Sequence, residues 1–147
     1  MEQYNSMDKH LDTKNKIRNY YYNTFSWACF AFYFGYGIIC TIIYKPYCRY
    51  IMFPKWDHDD DKIMEYFVFG AGECCFVMAI LVLLLKDGVD NHKKSQNIIF
   101  QVYCWVMWTC TELYYGITGV EYPIISSIHI ILCMIVLYLA IKSYQCF

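Results

Sequence analysis

Four long stretches free of lysine, arginine and aspartate take up most of this chain: residues 19–44, 66–85, 95–120 and 122–141. A helix that crosses a bilayer core needs about 20 consecutive, mostly apolar residues. One such stretch would suit a buried core helix. Four leave too little polar material for the water-facing stripes that helices of a soluble domain require. The expected fold class is therefore all-α, an integral membrane four-helix antiparallel bundle with both termini on the same side. The spans fall at about 22–44, 66–85, 95–117 and 122–141.

Composition agrees. The chain is 59% hydrophobic and 20% aromatic, where a soluble domain is nearer 45–50% apolar. Its net charge of −1 gives a nucleic-acid partner no electrostatic support. The expected partners are membrane lipids and either other membrane subunits or a second copy of the chain.

Residues 1–20 read as a polar leader, interfacial or frayed, and residues 21–147 as a single four-span membrane domain. No small-residue cleavage site precedes the first span, so that span is expected to be retained. Eight basic residues fall in the leader, the second connection and the C-terminal tail, against four in the first connection. That bias puts the leader on the cytoplasmic or matrix side. The expected location is the endoplasmic reticulum or another endomembrane, with the mitochondrial inner membrane as the alternative.

The connections carry their own signals. "NYYYNTFSW", residues 19–27, has the make-up of an aromatic belt at headgroup level. "DHDDD", residues 57–61, could ligate a divalent cation through oxygen or serve as a solvated acidic cap on the next helix. Gly119 suits a helix C-cap and Pro123 the first turn of a helix. The short second and third connections make spans two, three and four consecutive antiparallel neighbours. Of nine cysteines, none forms a CxxC pair, so they read as small buried hydrophobes rather than a redox centre. A bridge from Cys48 to Cys40 or Cys110 is left open.

Three ionisable residues interrupt the spans: Glu73, Glu112 and His129. Counting 1.5 Å per residue from the nearer helix ends puts Glu73 and His129 roughly 10 Å deep and Glu112 roughly 6–8 Å deep. Tyr36 falls at a similar level. Helical spacing aligns Gln101, Trp105, Trp108, Glu112 and Tyr115 on one face of span three. Tyr122, Ser126, His129 and Cys133 line up in the same way on span four, and Tyr33, Gly37, Cys40 and Tyr44 on span one. If these faces point inward they wall a polar-aromatic pocket in the outer half of the bundle. Its candidate ligand-binding residues are Glu73, Glu112, His129, Tyr36, Trp105, Trp108 and Ser126. Each also has a structural reading, as an interhelical hydrogen-bond partner or as aromatic packing.

Two carboxyls and one imidazole fall short of the histidine-rich sets that hold metals in membranes, so neither metal nor cofactor is expected. No catalytic motif is present, which favours a non-enzymatic role: binding a lipid-like ligand, or serving as an accessory subunit of a membrane complex. Should the protein be an enzyme, Glu73 and His129 are the candidate acid–base residues, acting on a lipid or sterol. A proton-linked transporter or channel subunit is the third class.

"EYFVFGAGECCFVMAILVLLLKDG", residues 65–88, followed by "IIFQVY", residues 98–103, resembles the second and third spans of the EXPERA superfamily, which includes sterol isomerases of the emopamil-binding type. The resemblance implies a bundle of four or five spans in the endoplasmic reticulum. It also implies acidic residues, here Glu73, around a sterol-sized cavity.

Overall fold

The computed structural model describes residues 2–43, 61–87, 90–119 and 122–145. They form four helices: α1 (Glu2–Ile42), α2 (Asp61–Lys86), α3 (Asn91–Thr118) and α4 (Pro123–Gln145), with no strand among the described residues. The polar leader forms the first half of α1. No proline or glycine occurs before Gly35 to interrupt it. At 1.5 Å per residue α1 is roughly 62 Å long, about twice the hydrocarbon thickness of a bilayer.

The helix ends follow local chemistry. Asp90 caps α3, its side chain accepting from the Lys93 amide at 2.8 Å. Gly119 ends α3 in the left-handed conformation at φ 68°, and its amide donates to the Tyr115 carbonyl. An L side chain there would be strained. Pro123 opens α4, where its missing amide costs nothing. The acidic run at 57–60 and Cys48 lie outside the described residues.

The buried positions step by threes and fours. On α1 they include Tyr22, Ser26, Cys29, Tyr33, Tyr36 and Cys40; on α4 they are Ser126, His129, Cys133, Val136, Ala140 and Ser143. A repeat of this kind keeps one seam facing the neighbour and gives the shallow, left-handed crossing of coiled-coil packing. α1 lies antiparallel along α2, with Tyr22 donating to the Leu85 carbonyl at 2.9 Å. α3 lies antiparallel along α4, with Ser126 Oγ donating to the Glu112 carbonyl at 2.6 Å. α1 also packs on α4.

The expected contact between spans two and three is corrected: α2 and α3 are consecutive but barely touch. Large rings from α1 and α3 fill the centre instead. Phe32 meets Trp105 at 4.5 Å between centroids, and Tyr36 meets Trp108 at 4.8 Å.

Polarity is inverted relative to a soluble bundle. Asn97, Gln101, Glu112, Ser126, His129 and Ser143 are buried, while Ile80, Leu84, Phe100, Ile117, Ile131 and Ile135 are exposed. Such a surface is stable against hydrocarbon and unfavourable in water. Among the described residues, three helical stretches are long and apolar enough to cross a membrane: Thr13–Ile42, Tyr66–Lys86 and Pro123–Gln145. These are compatible with an integral membrane protein. α3 has the length but not the mean hydropathy, because its inward face carries Asn97, Gln101 and Glu112. Its outward face exposes large apolar and aromatic side chains, among them Ile99, Phe100, Tyr103, Val106, Leu113 and Ile117.

One end of the bundle is marked by lysines over aromatic rings. Lys86 lies 5.6 Å from the Trp27 ring centroid, Lys94 5.2 Å from Tyr22 and Lys142 5.8 Å from Tyr138. This is the arrangement of interfacial anchors, with ammonium groups reaching toward water over amphipathic rings. From Tyr22 to Ile42, α1 rises roughly 30 Å, the thickness of a bilayer core.

Candidate functional site

Four helical turns above that end, α1, α3 and α4 bring together a phenol, an imidazole and a carboxylate. Tyr36 Oη lies 2.8 Å from His129 Nε2 and 3.1 Å from Nδ1. His129 Nδ1 lies 3.1 Å from Glu112 Oε2. Trp108 Nε1 donates to Glu112 Oε1 at 2.8 Å. Glu112 is 2% exposed, His129 5% and Tyr36 8%, so bulk solvent does not reach this group.

The spacing of each helix sets the geometry. On α3, Trp108 and Glu112 are four apart and share a face, so the indole reaches the carboxylate of the next turn. On α4, Ser126 and His129 are three apart. Gly116 lets α4 come close: a Cβ there would meet Ser126 Oγ at 2.7 Å. Ser126 thus fastens α4 to α3 one turn from the imidazole.

Two proton arrangements fit the heavy atoms. With a neutral imidazole, Nδ1–H donates to Glu112 and Nε2 accepts from the Tyr36 hydroxyl. With an imidazolium, Nε2–H donates to the Tyr36 oxygen instead. The group can therefore take up or release one proton with its heavy atoms in place.

The aromatic candidates fill space. Trp105 is fully buried, stacked on Tyr33 at 5.2 Å and edge-on to Phe32. Trp108 packs against Phe32 at 5.5 Å and Trp105 at 6.2 Å. Below them Tyr33 donates to Gln101 Oε1 at 2.8 Å, and Asn97 Nδ2 donates to Tyr22 Oη at 3.3 Å. A line of polar contacts thus runs down the bundle interior.

Glu73 stands apart, which corrects the expectation that it joins Glu112 and His129. It is exposed on the outer face of α2. The inward seam of α2 is Gly72, Cys75, Ala79 and Val82. At 100° per residue Glu73 points roughly 140° away from the centre of that seam. The seam itself is set by close approach: a Cβ on Gly72 would meet Thr41 Cγ2 at 2.7 Å and Cys40 Cβ at 2.9 Å. The string of small residues Gly72, Cys75 and Ala79 is the signal that could have placed Glu73 outside, because small side chains mark the face where backbones meet.

Among the described residues no group of three histidine, cysteine or acidic side chains comes together. The described cysteines, Cys40 and Cys110 included, are free thiols.

Fold and site together define the class, a small helical bundle with polar side chains buried among aromatic ones and a largely apolar exterior, compatible with a membrane. No family model, curated protein or solved structure matches the chain.

Proposed function

We propose that this protein is a multi-pass membrane bundle that acts as an accessory subunit, docking on another membrane protein through α2. The observation that carries this reading is Glu73, an outward carboxyl on a helix that is otherwise apolar from Tyr66 to Leu85. Ionisable side chains within membrane helices face protein or water-filled cavities, because exposure to lipid costs several kcal/mol. In this reading α3 crosses alongside the other helices, with its polar face turned inward. The Tyr36–His129–Glu112 group then serves as an interhelical clamp.

Extraction of native membranes into polymer nanodiscs, followed by particle mass measurement, tests the reading. The wild-type protein should travel in particles whose protein mass exceeds one 17.6 kDa chain. Glu73→Leu should travel alone. Single-chain particles of the wild type overturn the reading.

A second reading has its own support. The phenol–imidazole–carboxylate contacts at 2.8 and 3.1 Å are chemically fit for proton transfer, as a proton-linked transporter subunit or an acid–base site for a lipid-like ligand would need. The carboxylate of Glu112 takes the acidic role there, and Glu73 has none.

A further inference from the structure

We infer that the outward stripe of α2 docks a transmembrane helix of another protein, one that places a lysine or arginine opposite Glu73. The inference rests on the subunit reading above and adds the chemistry of the partner. Tyr66, Glu73, Val77, Ile80 and Leu84 are exposed, and Gly70 is half-buried among them with open space where its Cβ would sit. These six positions step by four, three, four, three and four, a second heptad seam on the side of α2 opposite the inner one. A helix with two opposed seams can serve as the middle of three.

The charge identifies the occupant. Glu73 lies seven residues from Tyr66, roughly 10 Å along the helix, too deep for a short glutamate side chain to reach the headgroups while Val77, Ile80 and Leu84 stay in hydrocarbon. An ion pair formed as two helices meet would remove that cost. A second copy of this chain cannot supply the cation. Residues 19–44, 63–85 and 95–141 contain no lysine or arginine, and the one histidine within the spans, His129, is buried against Tyr36 and Glu112. Two copies meeting on this face would oppose carboxyl to carboxyl. The open position at Gly70, one turn from Glu73, gives room for a long cationic side chain to fold onto the carboxylate.

The test uses the full-length protein in phosphatidylcholine vesicles, with energy transfer to synthetic leucine–alanine helices of about 20 residues. One peptide carries a single lysine roughly 10 Å from one end, and the control carries leucine there. The lysine peptide should bind about tenfold more tightly than the control, the size of one interhelical polar contact in lipid. Glu73→Gln should abolish that preference while leaving the helical content of the bundle unchanged, since the side chain touches no inner seam. Gly70→Leu should weaken lysine-peptide binding with Glu73 intact. Equal binding of both peptides overturns the cationic partner while leaving α2 a docking face. Binding of neither, or Glu73-dependent energy transfer between copies of the protein, also overturns it. The nanodisc mass is measured separately, so the subunit reading stands or falls on its own result.

Discussion

His129 on α4 and Glu112 on α3 face each other across 3.1 Å in the interior of the bundle, with Tyr36 of α1 on the imidazole and Trp108 on the carboxylate. Three helices that share no turn of sequence are held at one level by this contact. In hydrocarbon no water is present to replace a lost partner.

Removing both members should therefore cost less than the sum of removing each alone. His129→Leu leaves Glu112 buried without its imidazole, and should lower stability by about 2–4 kcal/mol. The double substitution Glu112→Leu with His129→Leu should cost less than the sum of the single changes. A double-mutant cycle on SDS-induced unfolding measures the coupling. Additive losses would show that the pair is not a unit.

The two glycines of the α1–α2 seam should behave unlike the glycine beside it. Gly72→Ala drives a methyl into Thr41 and Cys40, and Gly37→Ala drives one into the Phe76 ring at 2.8 Å. Each should cost about 1–3 kcal/mol. Gly35→Ala meets nothing within 4 Å and should be neutral or stabilising by up to about 1 kcal/mol through helix propensity. Thermal unfolding of the detergent-solubilised protein ranks the three.

Tyr33→Phe removes one hydroxyl from a fully buried contact, the donation to Gln101 Oε1. Gln101 is fully buried on α3, so its amide oxygen loses its donor and the change should cost about 1–3 kcal/mol. Tyr20→Phe, on an exposed ring, is the control and should be silent in the same unfolding assay.

Thiol labelling should follow the two faces of each helix. Cys74 and Cys110 are exposed, whereas Cys29 and Cys133 are fully buried. In detergent, N-ethylmaleimide should modify the first pair well before the second, as read by peptide mass spectrometry. In native assemblies Cys74, beside Glu73 on the outer face of α2, should label more slowly than Cys110. Equal rates there would argue against a partner on α2.

Much of the fold could be read from the residues. The apolar stretches from Tyr66 and from Tyr122 anticipate α2 and α4 closely, because hydrocarbon-length runs have few alternatives to helix. Gly119 and Pro123 mark the α3–α4 turn for backbone reasons that hold in any context. That Gln101, Trp105, Trp108 and Glu112 share one face follows from helical spacing alone. The same holds for Ser126, His129 and Cys133.

The depth of a residue along its helix is a local quantity, a count of steps at fixed rise, and the chain by itself sets it once the helix ends are known. The direction a residue faces is relative, and only packing decides it. The α1–α2 seam closes where Gly37 and Gly72 allow two backbones to approach. That seam turned Glu73 to the outside, while the close approach of α3 and α4 at Gly116 and Ser126 set Glu112 and His129 facing each other. α2 and α3 barely touch, and the rings of Phe32, Tyr36, Trp105 and Trp108 fill the middle.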